Sequence, residues 1–163
     1  MAMTGCVLPL GAAMDRQTQI LVFVASSSVP TDPIRIMKGL FLFSQRVLEG
    51  KLPPQESIFT FDARDFGPMS FDIYRELELL VQAGLVKAIP VRGETWSQFV
   101  ATEKGLDEAN RRLVFADSQV VDYLTALRNW TSAISFSELL RSVYHAYPEY
   151  AKNSVLPHLR PNG

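Results

Sequence analysis

The stretch Asp65-Phe66-Gly67-Pro68-Met69-Ser70 decides how this chain is read. Gly67-Pro68 is a strong turn dipeptide, and Ser70 suits the N-cap of the helix-length run that follows and closes at Ala83-Gly84-Leu85-Val86. Phe71, Tyr74, Leu77, Leu80, Val81 and Gly84 fall on or near one helical face of that run. Residues 85–91 and 98–102 can then pair as an antiparallel hairpin around residues 92–97, and Thr102 caps a helix reaching about Leu113. Turn, helix, β-ribbon and helix, in that order, describe a winged helix. The expected fold class is therefore α+β: a mostly helical winged-helix domain with a β-hairpin wing and a C-terminal helical extension.

Upstream, Asp32 and Pro33 form a cap and first-turn pair for a helix whose wide apolar stripe runs Ile36, Met37, Leu40, Phe41, Ser44, Val47 and Leu48. Gly50 and Pro53-Pro54 stop it, and Gly39 in its middle suggests a close helix–helix approach. Residues 14–26 favour a helix, although Ile20-Leu21-Val22-Phe23-Val24 is also compatible with a buried strand. Ile58-Phe59-Thr60-Phe61 suggests a short strand. Downstream, helices are expected over 118–130, from the Ser135/Glu138 capping box, and from Pro148 to Leu156. The organisation is one domain: a frayed segment at 1–13, a core at 14–116 and a helical extension at 117–163.

The composition is that of a globular chain, with 47% hydrophobic and 20% charged residues. A net charge of −1 gives no global attraction to nucleic acid or anionic membrane. Cys6 is the single cysteine, so no internal disulfide or multi-thiolate metal site can form. Without a basic leader or a long apolar run, a cytoplasmic location is expected, with no membrane partner.

The ordered motifs resemble a group of prokaryotic winged-helix proteins carried by prophages and mobile elements, the YwgA-like proteins and, more distantly, the Panacea-type antitoxin domain (phage-associated GepA or SocA-like proteins). The matching pieces are residues 36–43, Phe66-Gly67-Pro68-Met69-Ser70, Tyr74-Arg75-Glu76-Leu77-Glu78-Leu79-Leu80, Gly84-Leu85-Val86 and Thr102-Glu103-Lys104-Gly105. Leu139-Leu140-Arg141-Ser142-Val143-Tyr144 and Tyr147-Pro148-Glu149-Tyr150 are similar to the family's closing helices. The resemblance spans residues 34–156 and departs at Met69, where an aromatic residue is usual, and at Gly39. It implies a regulator or interaction module of mobile-element conflict, without catalytic residues or cofactor.

The helix after the turn is a poor reader of DNA. Residues 62–85 hold five acids against Arg64 and Arg75, and phosphates repel such a surface. Asp72, Ile73, Arg75, Glu76 and Leu79, with Arg92 and Trp96 of the wing, are instead candidate contacts for a basic protein partner, such as a toxin or a defence-complex subunit. The plain alternative is that Ile73 and Leu79 are core. Arg35, Lys38, Arg46 and Lys51 give residues 33–51 a net +3 and are the candidate phosphate contacts for double-stranded DNA, with Arg92 in a minor groove. A DNA-binding transcriptional regulator, as a homodimer or otherwise, is thus the second expectation, and an enzyme a distant third.

Other patterns carry less. Asp65-Phe66-Gly67 matches a kinase tripeptide but lacks the accompanying loops. His145 and His158 are too far apart for a helix-face metal pair, and Glu76 and Glu78 point to different sides of a helix. Tyr144, Tyr147 and Tyr150, near Trp130, read as a packing joint before a base-stacking platform.

Overall fold

The computed structural model describes residues 11–161, which form six α-helices and two antiparallel hairpins. Helix α1 (Arg16–Ala25) begins at Asp15, whose carboxylate accepts from Thr18 N at 2.7 Å. Thr18 to Val24 are all buried, because the helix runs through the centre and meets α2, α3, α4, α5 and β4. A helix apolar on every side explains why its sequence could also be read as a strand.

Helix α2 (Pro33–Leu48) starts as its Asp32-Pro33 pair predicts, with Asp32 accepting from Arg35 N. A Cβ on Gly39 would lie 2.5 Å from the Phe23 ring of α1, so the expected close approach is real and is made onto an aromatic ring. No strand forms at 58–61. Phe59 is instead buried singly in the core, while Arg16 lies over its ring. The first hairpin comes just after, β1 (Asp62–Arg64) with β2 (Gly67–Met69), in the register Asp62↔Met69 and Arg64↔Gly67. Gly67 and Pro68 are therefore strand residues, and Asp65-Phe66 makes the turn, contrary to the turn expected at Gly67-Pro68. Gly67 is required twice over: its φ is +87°, and a Cβ would sit 2.8 Å from the Tyr144 ring.

Helix α3 (Phe71–Gln82) follows at once. Ser70 has extended cap geometry, but its side chain makes no capping bond, and its buried N–H donates to Met37 Sδ instead. The second hairpin pairs β3 (Val86–Pro90) with β4 (Ser97–Ala101), close to the expected boundaries. Thr31, between α1 and α2, exchanges both backbone hydrogen bonds with Phe99, at 2.9 and 2.7 Å. Thr102 caps α4 (Glu103–Leu113) through Gly105 N.

The C-terminal part is helical as expected, with α5 (Ser118–Ala133) three residues longer than predicted and α6 (Phe136–Ala146) opened by Ser135. Residues 148–156 do not form one helix. Two 3₁₀ turns, Pro148–Ala151 and Pro157–Leu159, replace it. The extension covers the far side of α2 with its own apolar cluster, including Phe41, Leu139, Leu140, Val143 and Tyr144. Phe41 meets Tyr147 and Tyr150 edge-on at 5.2 and 4.7 Å, and Tyr144 is fully buried, so the tyrosines are a packing joint. Most of the segment expected to fray lies outside the described residues. Within it, Ala12 N donates to Phe115 O at 2.8 Å, which ties residue 12 to the end of α4. Among the described residues no helix is long and apolar enough to cross a membrane.

Candidate functional site

Helix α3 buries Ile73, Leu77 and Leu80 and turns its other side outward. Ile73 has no exposed surface, so its expected role as a partner contact is wrong: tertiary packing against the core claims it. Phe71, Tyr74 and Leu79 are the large apolar side chains left in the open, at 61%, 40% and 44% exposure. Among them stand Arg75 and Glu78, exposed, and Asp72 and Glu76, half-buried. Asp72 is already bound on both sides, accepting from Arg16 at 3.1 Å and from Arg75 at 2.9 Å. Of the nearby cations, Arg64 is drawn over the Phe71 ring at 5.4 Å. The outward face of α3 is thus an apolar strip that carries Glu76 and Glu78, neither of which is in an ion pair among the described residues.

On the second hairpin Arg92 and Trp96 are exposed, as expected of a hairpin tip, and Trp96 Nε1 donates to Glu94 at 3.1 Å. The candidate phosphate contacts are not brought together. Lys38 is 2% exposed, buried by the first hairpin, so it cannot reach a phosphate backbone. Arg35 is spent inside the fold, donating to Asp32 at 2.6 Å and to the carbonyls of Thr131 and Ile134. Arg46 and Lys51 do remain on the surface. Arg46 is held by the Tyr123 hydroxyl, a bond that raises its pKa, and Lys51 pairs with Glu49 at 3.5 Å. The +3 of residues 33–51 is therefore not a surface charge. Arg111 and Arg112 are both bound to Glu108.

Beside α3 lies a cleft of about 510 Å³ that sequence spacing did not reveal. The cap and N-terminal end of α2 (Asp32, Pro33, Ile34, Arg35, Met37, Lys38), the first hairpin (Phe66, Gly67, Met69), Tyr74 of α3, Trp96 of the second hairpin and Phe136 of α6 line it. Phe66 and Phe136 pack edge-on at 5.9 Å across one wall. The Lys38 ammonium donates to Pro68 O at 2.8 Å, on the strand that carries Gly67 and Met69. Burial pulls the Lys38 pKa down to about 7, and burial raises that of Tyr74. The cleft joins segments spread from residue 32 to 136. The one local signal was Phe66, an aromatic side chain placed at a polar turn.

Among the described residues no three His, Cys, Asp or Glu side chains gather closely enough to hold a metal ion. His145 and His158 are both exposed. No family model and no curated protein matches the chain.

Proposed function

We propose that this chain is a non-enzymatic winged-helix interaction module, located in the cytoplasm, that binds and regulates a protein partner through the outward face of α3 and the tip of the second hairpin. The winged-helix reading is supported by the order α1, Thr31, α2, α3, β3, β4, with the first hairpin inserted between α2 and α3 and Thr31 pairing to β4 as a third strand reduced to one residue. The observation that carries the functional reading is the composition of α3's open face. Phe71, Tyr74 and Leu79 supply apolar anchors, and Glu76 and Glu78 supply charge that suits a basic partner. The resemblance to antitoxin-type proteins gives the partner's kind: a toxin or a defence-complex subunit.

Duplex DNA is the second reading, since the winged helix is a common DNA-binding scaffold. Burial of Lys38 and internal use of Arg35 weigh against it, because both remove charge from the helix that would contact phosphates.

Fluorescence titration against a random duplex, at low and at near-physiological salt, separates the two. Absence of binding at low salt is the expected result, whereas micromolar binding that weakens steeply with salt would sink the protein-partner reading. Affinity capture with wild type, Leu79→Asp, Glu76→Lys and Lys51→Ala then localises the surface. A partner retained by Lys51→Ala and lost by the other two is expected. Equal capture by all four would place the contact elsewhere.

A further inference from the structure

We infer that the cleft between α2, the first hairpin and α6 binds a small apolar monocarboxylate, with the Lys38 ammonium pairing its carboxylate. This inference is independent of which macromolecule the α3 face takes.

Its volume of about 510 Å³ lies within the roughly 300–1,000 Å³ typical of small-molecule sites. Ile34, Met37, Phe66, Met69 and Phe136 make the lining apolar. The ionisable side chains facing it are Asp32, Arg35, Lys38 and Tyr74. Asp32 and Arg35 neutralise one another through their 2.6 Å ion pair, and Tyr74 is neutral near neutral pH because burial raises its pKa. Lys38 is the charge left over. Among the described residues no carboxylate lies within ion-pair distance of it.

An ammonium has three donors, and Pro68 O takes one of them. Two N–H groups of a fully buried cation are left to be satisfied, at the wall of an apolar chamber. A singly charged, planar carboxylate fits both the charge and the donor count. A phosphate dianion would leave negative charge unmatched in apolar surroundings. A neutral alcohol would accept from the donors but leave the cation uncompensated.

Isothermal titration with octanoate, 1-octanol and acetate near pH 6 tests this. Octanoate should bind about tenfold or more tightly than 1-octanol, the worth of one charge-assisted hydrogen bond, and acetate should show no measurable binding. Because the free site holds its proton only below about pH 7, octanoate affinity should fall by up to about tenfold per pH unit above that, while 1-octanol is unchanged. Lys38→Met should abolish the preference and keep 1-octanol binding. Equal affinity of octanoate and 1-octanol for the wild-type protein would overturn the pairing with Lys38. No binding of either would overturn the site. N-acetyl-Leu-Leu tests the other source of such a group, a protein C-terminus: if it binds and octanoate does not, the free-acid assignment falls. The wild-type pH series decides the question even if the variant does not fold.

Discussion

Two cations are almost wholly withdrawn from solvent, and they are held in opposite ways. Arg128 of α5 is the largest fully buried side chain among the described residues; its guanidinium donates to Ser132 Oγ and Val29 O and lies 5.9 Å from the Phe23 ring centre. Lys38 of α2 has one carbonyl and a cleft. Burial lowers both pKa values, that of Arg128 to about 10, so it stays charged, and that of Lys38 to about 7, so it is divided between two states at neutral pH. A planar fork can spread several donors over neighbouring groups inside a fold, whereas an ammonium with one acceptor cannot. Burial alone therefore does not separate a structural cation from an available one. Nor does the number of donors in use, since the buried Arg128 Nε–H has no partner among the described residues; what sets Lys38 apart is that it borders a cleft.

That contrast can be broken by mutation. Arg128→Ala removes the side chain that joins α5 to the loop at Val29 and to Phe23, and leaves a cavity. The cavity costs roughly 2–5 kcal/mol and release of the buried charge offsets part of it, so a smaller net loss, about 1–2 kcal/mol, is expected in urea unfolding. Lys38→Met should have the opposite sign. The folded value of about 7 lies below the unfolded value of 10.5, so between them the unfolded chain binds the proton that the folded protein releases. Wild-type stability should accordingly rise with pH across that window, and the cost of Lys38 is complete below about pH 7. Lys38→Met should gain up to roughly 4 kcal/mol near pH 6, after allowing for the lost bond to Pro68, and the gain should fade toward pH 10. A loss at both positions would erase the distinction.

Asp32→Asn sharpens it on a smaller scale. Asparagine can still cap α2, but Arg35 loses its ion pair, for about 1 kcal/mol in the same assay. Arg35 then becomes a second uncompensated cation of the cleft, and octanoate should bind severalfold more tightly while 1-octanol does not. Lys51→Ala, at an exposed pair, should change stability by less than about 0.5 kcal/mol.

The sequence made α2, α3 and the second hairpin legible because each is marked locally: Asp32-Pro33, the helical period closed by Gly84, and two β-rich runs around Arg92-Gly93-Glu94. The stripe expected from Phe71 to Gly84 is nevertheless not α3's buried face, since Phe71 and Tyr74 point outward and Ile73 joins Leu77 and Leu80 inside. The fate of Lys38 was not legible. Neighbouring charges at Arg35 and Arg46 suggest a solvated face, yet the first hairpin, thirty residues on, covers it, and Phe136 of α6, about a hundred residues on, lines the cleft it borders. Ile73 was misread for the same reason, since it is the packing of α3 that puts this residue inside. The strand expected at 58–61 shows the limit of propensity: Phe59 is drawn singly into the core, so the segment has no partner strand, and pairing waits until Asp62.

The double hydrogen bond between Thr31 and Phe99 joins the second hairpin to the residue before Asp32, the cap of α2. The hairpin cannot lift without disturbing that cap, and α2 cannot unwind its first turn without loosening the hairpin. In native-state hydrogen exchange the amides of Phe99 and Arg35, sixty-four residues apart in sequence, should therefore open together as one cooperative unit, which would make the Trp96 tip and the mouth of the cleft a single mechanical element.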